Sequence, residues 1–207
     1  MARRVRQEEA DDTFWVEAYV PLSLGLAARR QDIVDRLLAF GPLSVKELAD
    51  QLGARPSALY HHIRLLLTAG LAIEAGTRVV NRKRVQLFAA PARVVRLRIQ
   101  PGDPSNRSAV QAFVRVLGRQ IERDFRLGLE AGPARTEGPQ RTLGLRRVCG
   151  SPDAATLARI NRKLDEIDAL LVDSRGRPEA GVIFSWTLAP LVGGSDPSGD
   201  EQERQAE

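Results

Sequence analysis

The feature that most constrains this fold is a pair of short helical segments between residues 44 and 68. Ser44 and Glu47 have the spacing of a capping box, in which each side chain accepts a hydrogen bond from the other residue's backbone amide. Gly53 can adopt the left-handed conformation that ends a helix, and Pro56 suits the first position of the next one. Both segments carry apolar residues at helical spacing, namely Val45, Leu48, Ala49, Leu52, Leu59, Ile63, Leu66 and Leu67. We therefore predict a helix-turn-helix.

The neighbouring segments extend this pattern to a winged helix. An amphipathic helix is predicted over residues 26–40, immediately before a Gly-Pro pair that ends it. Behind the helix-turn-helix, residues 71–74 and 84–88 alternate as the two strands of a hairpin, with a polar and basic tip at 79–83. Three helices followed by a β-hairpin are the element order of a winged helix, which is more specific than any one of these elements.

Two further elements flank the winged helix. The stretch from Phe14 to Leu26 is predicted as a helix broken at Pro21, because proline removes a backbone donor from a helix interior. Residues 94–99 alternate apolar residues with arginines and are predicted as another strand.

Charge is concentrated on the predicted winged helix. Between Arg55 and Arg98 there are nine basic residues and one acidic residue, so this segment carries +8 in a chain whose net charge is +5. Such a segment is typical of a surface that binds phosphates, although an arginine-rich solvated face would have the same composition.

Composition indicates a soluble protein of the cytoplasm. The chain is 43% hydrophobic and 28% charged, with no apolar run near the roughly 20 residues that cross a bilayer. Its charged start has no apolar run behind it, so we expect no signal peptide. Cys149 is the only cysteine, which excludes an internal disulfide and a cysteine cluster for metal.

The C-terminal half is predicted as a small α/β domain. We expect a helix over 106–130, a strand over 142–148, a helix over 153–172 and a strand over 182–188. Apolar residues 157 to 171 in the second helix are spaced three and four apart, as in a coiled-coil seam. The predicted fold is α+β, mainly α. Its parts are a disordered N-terminus (1–12), the winged helix-turn-helix domain (13–99), a C-terminal dimerisation or effector domain (100–192) and a disordered acidic tail (193–207).

Residues 24–90 resemble the ArsR-type family of winged-helix transcription repressors of bacteria. The resemblance is carried by Arg30, Ile33-Val34 and Leu37-Leu38 in the first helix, by LSVKELADQLG in the second and by SALYHHIRLLLTAGL in the third. It implies a DNA-binding regulator. Metal-sensing members carry a cysteine pair in the recognition helix or metal ligands at the dimer interface. Here the recognition helix has no cysteine, and its adjacent His61 and His62 cannot easily share one ion. We therefore expect no metal and no cofactor.

This architecture assigns candidate DNA contacts to the third helix and the hairpin tip. The N-terminal part of the third helix enters the major groove, where Ser57, Tyr60 and His61 would meet base edges and Arg64 a phosphate or a guanine. Tyr60 could instead cap the domain core. His62 is expected to make a structural hydrogen bond rather than a DNA contact. The complete set of predicted contacts is Arg55, Pro56, Ser57, Tyr60, His61, Arg64, Arg78, Arg82, Lys83 and Arg84.

The functional expectation is a homodimeric regulator that binds an inverted repeat in double-stranded DNA, with no membrane partner. A winged helix used only to bind proteins is the alternative, and the +8 segment argues against it. We expect no enzyme, because two adjacent histidines, one cysteine and no phosphate loop offer no catalytic constellation. Asp165, Glu166 and Asp168 fall on the polar side of a predicted helix, where we expect them to be solvated. The C-terminal domain is expected to be closed; if a pocket remains in it, the pocket would suit a small apolar effector.

Overall fold

The computed structural model describes residues 12–16, 28–130, 132, 134–176 and 181–191. In chain order the elements are β1 (Thr13–Val16), α1 (Ala28–Phe40), α2 (Val45–Gln51), α3 (Pro56–Thr68), β2 (Ile73–Val80), β3 (Lys83–Ala89), β4 (Val94–Leu97), α4 (Pro104–Glu130) and α5 (Ala154–Asp173). The described chain is mainly helical with two two-stranded sheets. The mainly helical fold is confirmed, and α1 to β3 follow the order predicted for a winged helix. The predicted domain limits stay predictions, and the terminal stretches 1–11 and 193–207 lie outside the described residues.

The capping box is present at the start of α2. The Ser44 amide donates to Glu47 Oε2 at 2.8 Å, and the Glu47 amide donates to Ser44 Oγ at 3.3 Å. These bonds satisfy two backbone donors that the first turn of a helix leaves without intrahelical partners. Gly53 follows α2 with a φ of 56°, and Pro56 is the first residue of α3. The turn between the two helices therefore forms as the sequence predicts.

One apolar core holds the three helices of the winged helix together. The side chains most completely buried in it are Ile33, Leu37, Leu48, Leu59 and Leu66. The wing joins this core through a backbone bridge, in which the Leu43 amide donates to Phe88 O at 2.9 Å and the Phe88 amide donates to Leu43 O at 2.8 Å. The orientation of α3 is consequently fixed by α1 and α2 beneath it.

The predicted helix at Phe14 is wrong where the structure describes it. Residues 13–16 form β1, which pairs in parallel with β4 in the register Thr13 to Val94 and Val16 to Leu97. Their sequence, TFWV, consists of β-branched and aromatic residues that favour strands, and β4 provides the hydrogen bonds that an isolated strand would lack. The strand predicted over 94–99 is confirmed as β4, and residues 17–27 lie outside the described part of the chain.

The C-terminal half contains both predicted helices, but neither predicted strand forms. Residues 142–148 and 182–188 are irregular and mostly exposed. Their alternating pattern needs a partner strand, and no other described segment forms a β-ladder with them. The small α/β domain therefore lacks its sheet in the described chain. Among the described helices, none is long and apolar enough to cross a membrane.

The helix α4 is attached to the winged helix, whereas α5 is largely uncovered. Ala109 of α4 is 2% exposed in the winged-helix core, and Arg123 pairs with Asp32 of α1 at 2.6 Å. In contrast, α5 buries no residue, and Leu157 and Ile160 of its apolar seam are each 38% exposed.

Candidate nucleic-acid interface

The third helix presents a continuous exposed face opposite its buried stripe. Leu59, Ile63 and Leu66 point into the core. The predicted contact residues of this helix, Pro56, Ser57, Tyr60, His61 and Arg64, are all exposed. Tyr60 is 56% exposed, which excludes the alternative that it caps the core. The face offers hydroxyl, phenol, imidazole and guanidinium groups, which can donate to or accept from base edges.

Arg55 occupies the N-cap of α3 without acting as a cap. Its backbone is extended, with φ −80° and ψ 137°, and its side chain makes no capping hydrogen bond. Serine, threonine, aspartate or asparagine would stabilise the helix better at this position. Arg55 is exposed at a helix N-terminus, where the helix dipole favours an approaching phosphate.

The wing ends in a two-residue turn with an unusual backbone. Val80 pairs with Lys83 across the turn, and both turn residues are left-handed, Asn81 with φ 48° and Arg82 with φ 63°. Asparagine tolerates this region, but arginine is strained there, since a glycine usually takes the second position of such a turn. Arg82, Lys83 and Arg84 are all exposed. Because an arginine takes the turn position that glycine usually occupies, the tip of the wing carries one more cation.

The wing is tied to the helix-turn-helix by an ion pair that the sequence did not predict. The Arg78 guanidinium donates to Glu47 Oε1. The Ser44 backbone amide, the Ser44 hydroxyl and the Arg78 guanidinium all lower the pKa of Glu47. Arg78 therefore positions β2 against the start of α2 as well as adding charge to the wing. Because Arg78 and Glu47 are 31 positions apart in the sequence, no local pattern predicts their ion pair. The capping box of Ser44 and Glu47, in contrast, is visible in the local sequence.

His62 differs from the sequence prediction. Its side chain is half-buried, and its Nδ1 is buried without a hydrogen-bond partner in the described structure. The predicted structural hydrogen bond is therefore wrong for this atom. Burial lowers the pKa of His62 most, and the nearby charges of Arg30, His61 and Arg29 lower it further because they disfavour another positive charge. His62 is therefore neutral at pH 7 and lies on the half-buried side of α3.

Metal-binding residues are dispersed in the described part of the chain. Across these residues, no group of three or more His, Cys, Asp or Glu side chains is arranged to hold a metal ion. His61 and His62 pack edge to face with ring centroids 5.8 Å apart, and Cys149 is exposed.

Comparison with known proteins supports the assignment of the first three helices. Residues 29–74, under a quarter of the chain, match the family described as helix-turn-helix domain. A search of curated proteins finds no significant match. Among solved structures, the chain is similar to the transcriptional regulator Tm0710 from Thermotoga maritima, with 13% identity, a TM-score of 0.30 and coverage of 72% of this chain and 78% of that chain. Residues 29–74, which contain nearly all of α1, all of α2 and α3 and the start of β2, are a helix-turn-helix domain.

Proposed function

We propose that this protein is a transcription regulator that binds double-stranded DNA, with an ArsR-like winged helix that does not sense metal. The observation that carries the proposal is the exposed polar face of α3 on a helix-turn-helix domain, followed by a wing with three exposed cations at its tip. A DNA-binding regulator of this kind acts in the cytoplasm and needs no cofactor or catalytic residue.

The recognition step uses two classes of contact. Ser57, Tyr60 and His61 would read base edges from the N-terminal half of α3 in the major groove. Arg82, Lys83 and Arg84 would bind backbone phosphates or the adjacent minor groove, which adds affinity without reading sequence. Arg55, Pro56, Arg64 and Arg78 complete the proposed interface.

We also propose that the regulator is a homodimer that binds an inverted repeat. The seam of α5 is the support, since Leu157 and Ile160 are each 38% exposed and an apolar face of this length is costly in water. Pairing of two seams across a two-fold axis would cover it. The substitution Ile160→Glu should then produce monomers at tens of micromolar in sedimentation, whereas Arg159→Glu on the polar side should not. A natural chain that sediments as a monomer with and without DNA would refute the dimer.

The salt dependence of DNA affinity tests the proposed function. Affinity should fall steeply with salt, because each neutralised phosphate releases counterions. Replacing Arg82, Lys83 and Arg84 by alanine should reduce the slope of log K against log salt by about 1 to 3. The control replaces Arg159, Arg162 and Lys163, exposed residues of α5 with the same total charge, and should leave the slope within about 0.5 of the natural value. An equal change in both variants would refute the wing contact, and absence of DNA binding at low salt would favour a protein-binding module.

A further inference from the structure

A cleft of about 530 Å³ lies between the winged helix and the end of α5. It is formed by the C-terminal end of α1, the segment after β3 and residues 172–176. Leu38, Phe40, Ala90 and Val172 contribute apolar surface to its walls. Its volume falls in the range of small-molecule sites, which are mostly apolar with a few polar groups. The sequence predicts that any pocket lies inside the C-terminal domain. This cleft lies instead where the end of α5 meets the DNA-binding unit.

Two arginines line the cleft, and their surroundings differ. Arg93 has two acidic partners: its Nε lies 3.5 Å from Asp12 Oδ2, and its Nη2 lies 3.3 Å from Asp173 Oδ1. Arg175 has no carboxylate within ion-pair distance in the described structure, and its guanidinium donates to the backbone carbonyl of Arg93. Asp12 and Asp173, the two acidic residues of the cleft wall, therefore both pair with Arg93. The guanidinium of Arg175 has N–H groups that can donate to another acceptor.

The partly buried position of Arg175 is unfavourable without an anion. Burial and the neighbouring Arg93 charge lower the pKa of its guanidinium, and Asp12 and Asp35 offset this only in part. A carboxylate that enters the cleft could accept two parallel hydrogen bonds from Arg175, which is the strongest pairing available to arginine. An apolar chain or ring on the same molecule would lie against Leu38, Phe40 and Val172.

We propose that this cleft binds a small organic acid with one carboxylate and an apolar body, and that Arg175 holds the carboxylate. The site includes both the DNA-binding unit and α5, which are joined here by a hydrogen bond from the Gly176 amide to Ala39 O at 2.9 Å. A ligand in the cleft contacts both α1 and the end of α5, so it stabilises the arrangement of the two that it fits best. Occupancy therefore alters DNA affinity, a consequence that rests on the proposed function.

The binding step is tested on the full chain by calorimetry at pH 7.5. The probes are 4-phenylbutyrate and octanoate, and 4-phenylbutyramide is the uncharged counterpart. At least one acid should bind with a Kd below about 1 mM, and the amide should bind at least ten-fold more weakly than 4-phenylbutyrate. Arg175→Gln should weaken acid binding ten-fold or more, while Arg159→Gln on the exposed face of α5 should leave it unchanged. Ala92→Phe, which fills the cleft without changing charge, should also abolish binding; circular dichroism verifies that each variant is folded.

Three results would overturn the site. They are absence of saturable binding up to about 10 mM acid, equal binding of acid and amide, and unchanged acid binding in folded Arg175→Gln and Ala92→Phe. The coupling to DNA is measured separately, as a change of at least three-fold in operator affinity at saturating acid that is absent in Arg175→Gln. If the acid binds but the protein does not bind DNA, the proposed function fails and the acid-binding site stands. If DNA binds and acid does not, the site alone fails, and bound acid with unchanged DNA affinity refutes the coupling.

Discussion

The carboxyl group of Asp35 should destabilise the folded chain at neutral pH. It lies on α1, where burial and then the charges of Asp32 and Asp124 raise its pKa to about 6, against the lowering effect of a hydrogen bond from Gln31. In the unfolded chain an aspartate has a pKa of about 3.9. Because the folded pKa is the higher one, folding favours the protonated form, and stability is lost as pH rises from about 4 through 6.

The substitution Asp35→Asn removes this effect while keeping the shape of the side chain. The Gln31 Nε2 donates to Asp35 Oδ1 at 2.8 Å, and an asparagine oxygen can accept the same bond. A difference of about two pKa units corresponds to about 3 kcal/mol at pH 8, where the carboxylate is charged in both states. At pH 4 the folded carboxyl is already neutral, so the gain there should be below about 1 kcal/mol.

Urea unfolding at pH 4, 6 and 8 measures this prediction, at one fixed protein concentration so that any assembly contributes equally. Asp35→Asn should be more stable than the natural chain at pH 8, and the difference should shrink as pH falls. Asp50→Asn, at an exposed position of α2, is the control and should have little effect at any of the three pH values. A stability difference that is independent of pH, or a loss of stability at pH 8, would refute the reasoning.

Two further substitutions test the strained wing and the attachment of α4. Arg82→Gly should raise the free energy of unfolding by about 1 kcal/mol, because glycine adopts the left-handed turn without strain. It should also weaken DNA binding, because it removes a cation from the wing. A drop in stability in urea unfolding would contradict the strain at Arg82. Arg123→Met should lower the free energy of unfolding by about 1 to 3 kcal/mol at pH 7, since it leaves Asp32 and Asp124 without their shared cation. An unchanged midpoint in urea unfolding would show that the ion pairs of Arg123 do not stabilise the fold.

The winged helix was predictable because its signals are local. The capping box at Ser44, the left-handed Gly53 and the proline that begins α3 each specify a helix end within a few residues. The buried stripe of α3 follows from helical spacing alone. The exposure of Tyr60 could not be derived in this way, because either side of the stripe is compatible with its position.

The rest of the fold depends on contacts between distant residues, which local patterns do not specify. Residues 13–16 have strand propensity, but their pairing with β4 is set by a partner about eighty residues away. Conversely, Val182, Phe184 and Trp186 alternate as a strand would, and they remain exposed and unpaired in the described chain. Alternation identifies a segment that can pair, and the availability of a partner decides whether it does.

Besides the Leu43–Phe88 bridge and the shared apolar core, three polar contacts connect the helix-turn-helix to other parts of the described chain, and none of these three lies on α3. Arg78 of the wing binds Glu47 at the start of α2, Arg123 of α4 binds Asp32 of α1, and Gly176 after α5 binds the carbonyl of Ala39 at the end of α1. The recognition helix is oriented instead by core packing against α1 and α2. Because packed cores shift as units rather than deforming continuously, a displacement of α4 or α5 that moves α1 also moves α3. Changes at the α1 contacts should therefore alter DNA affinity while sequence preference, which depends on the exposed face of α3, is retained.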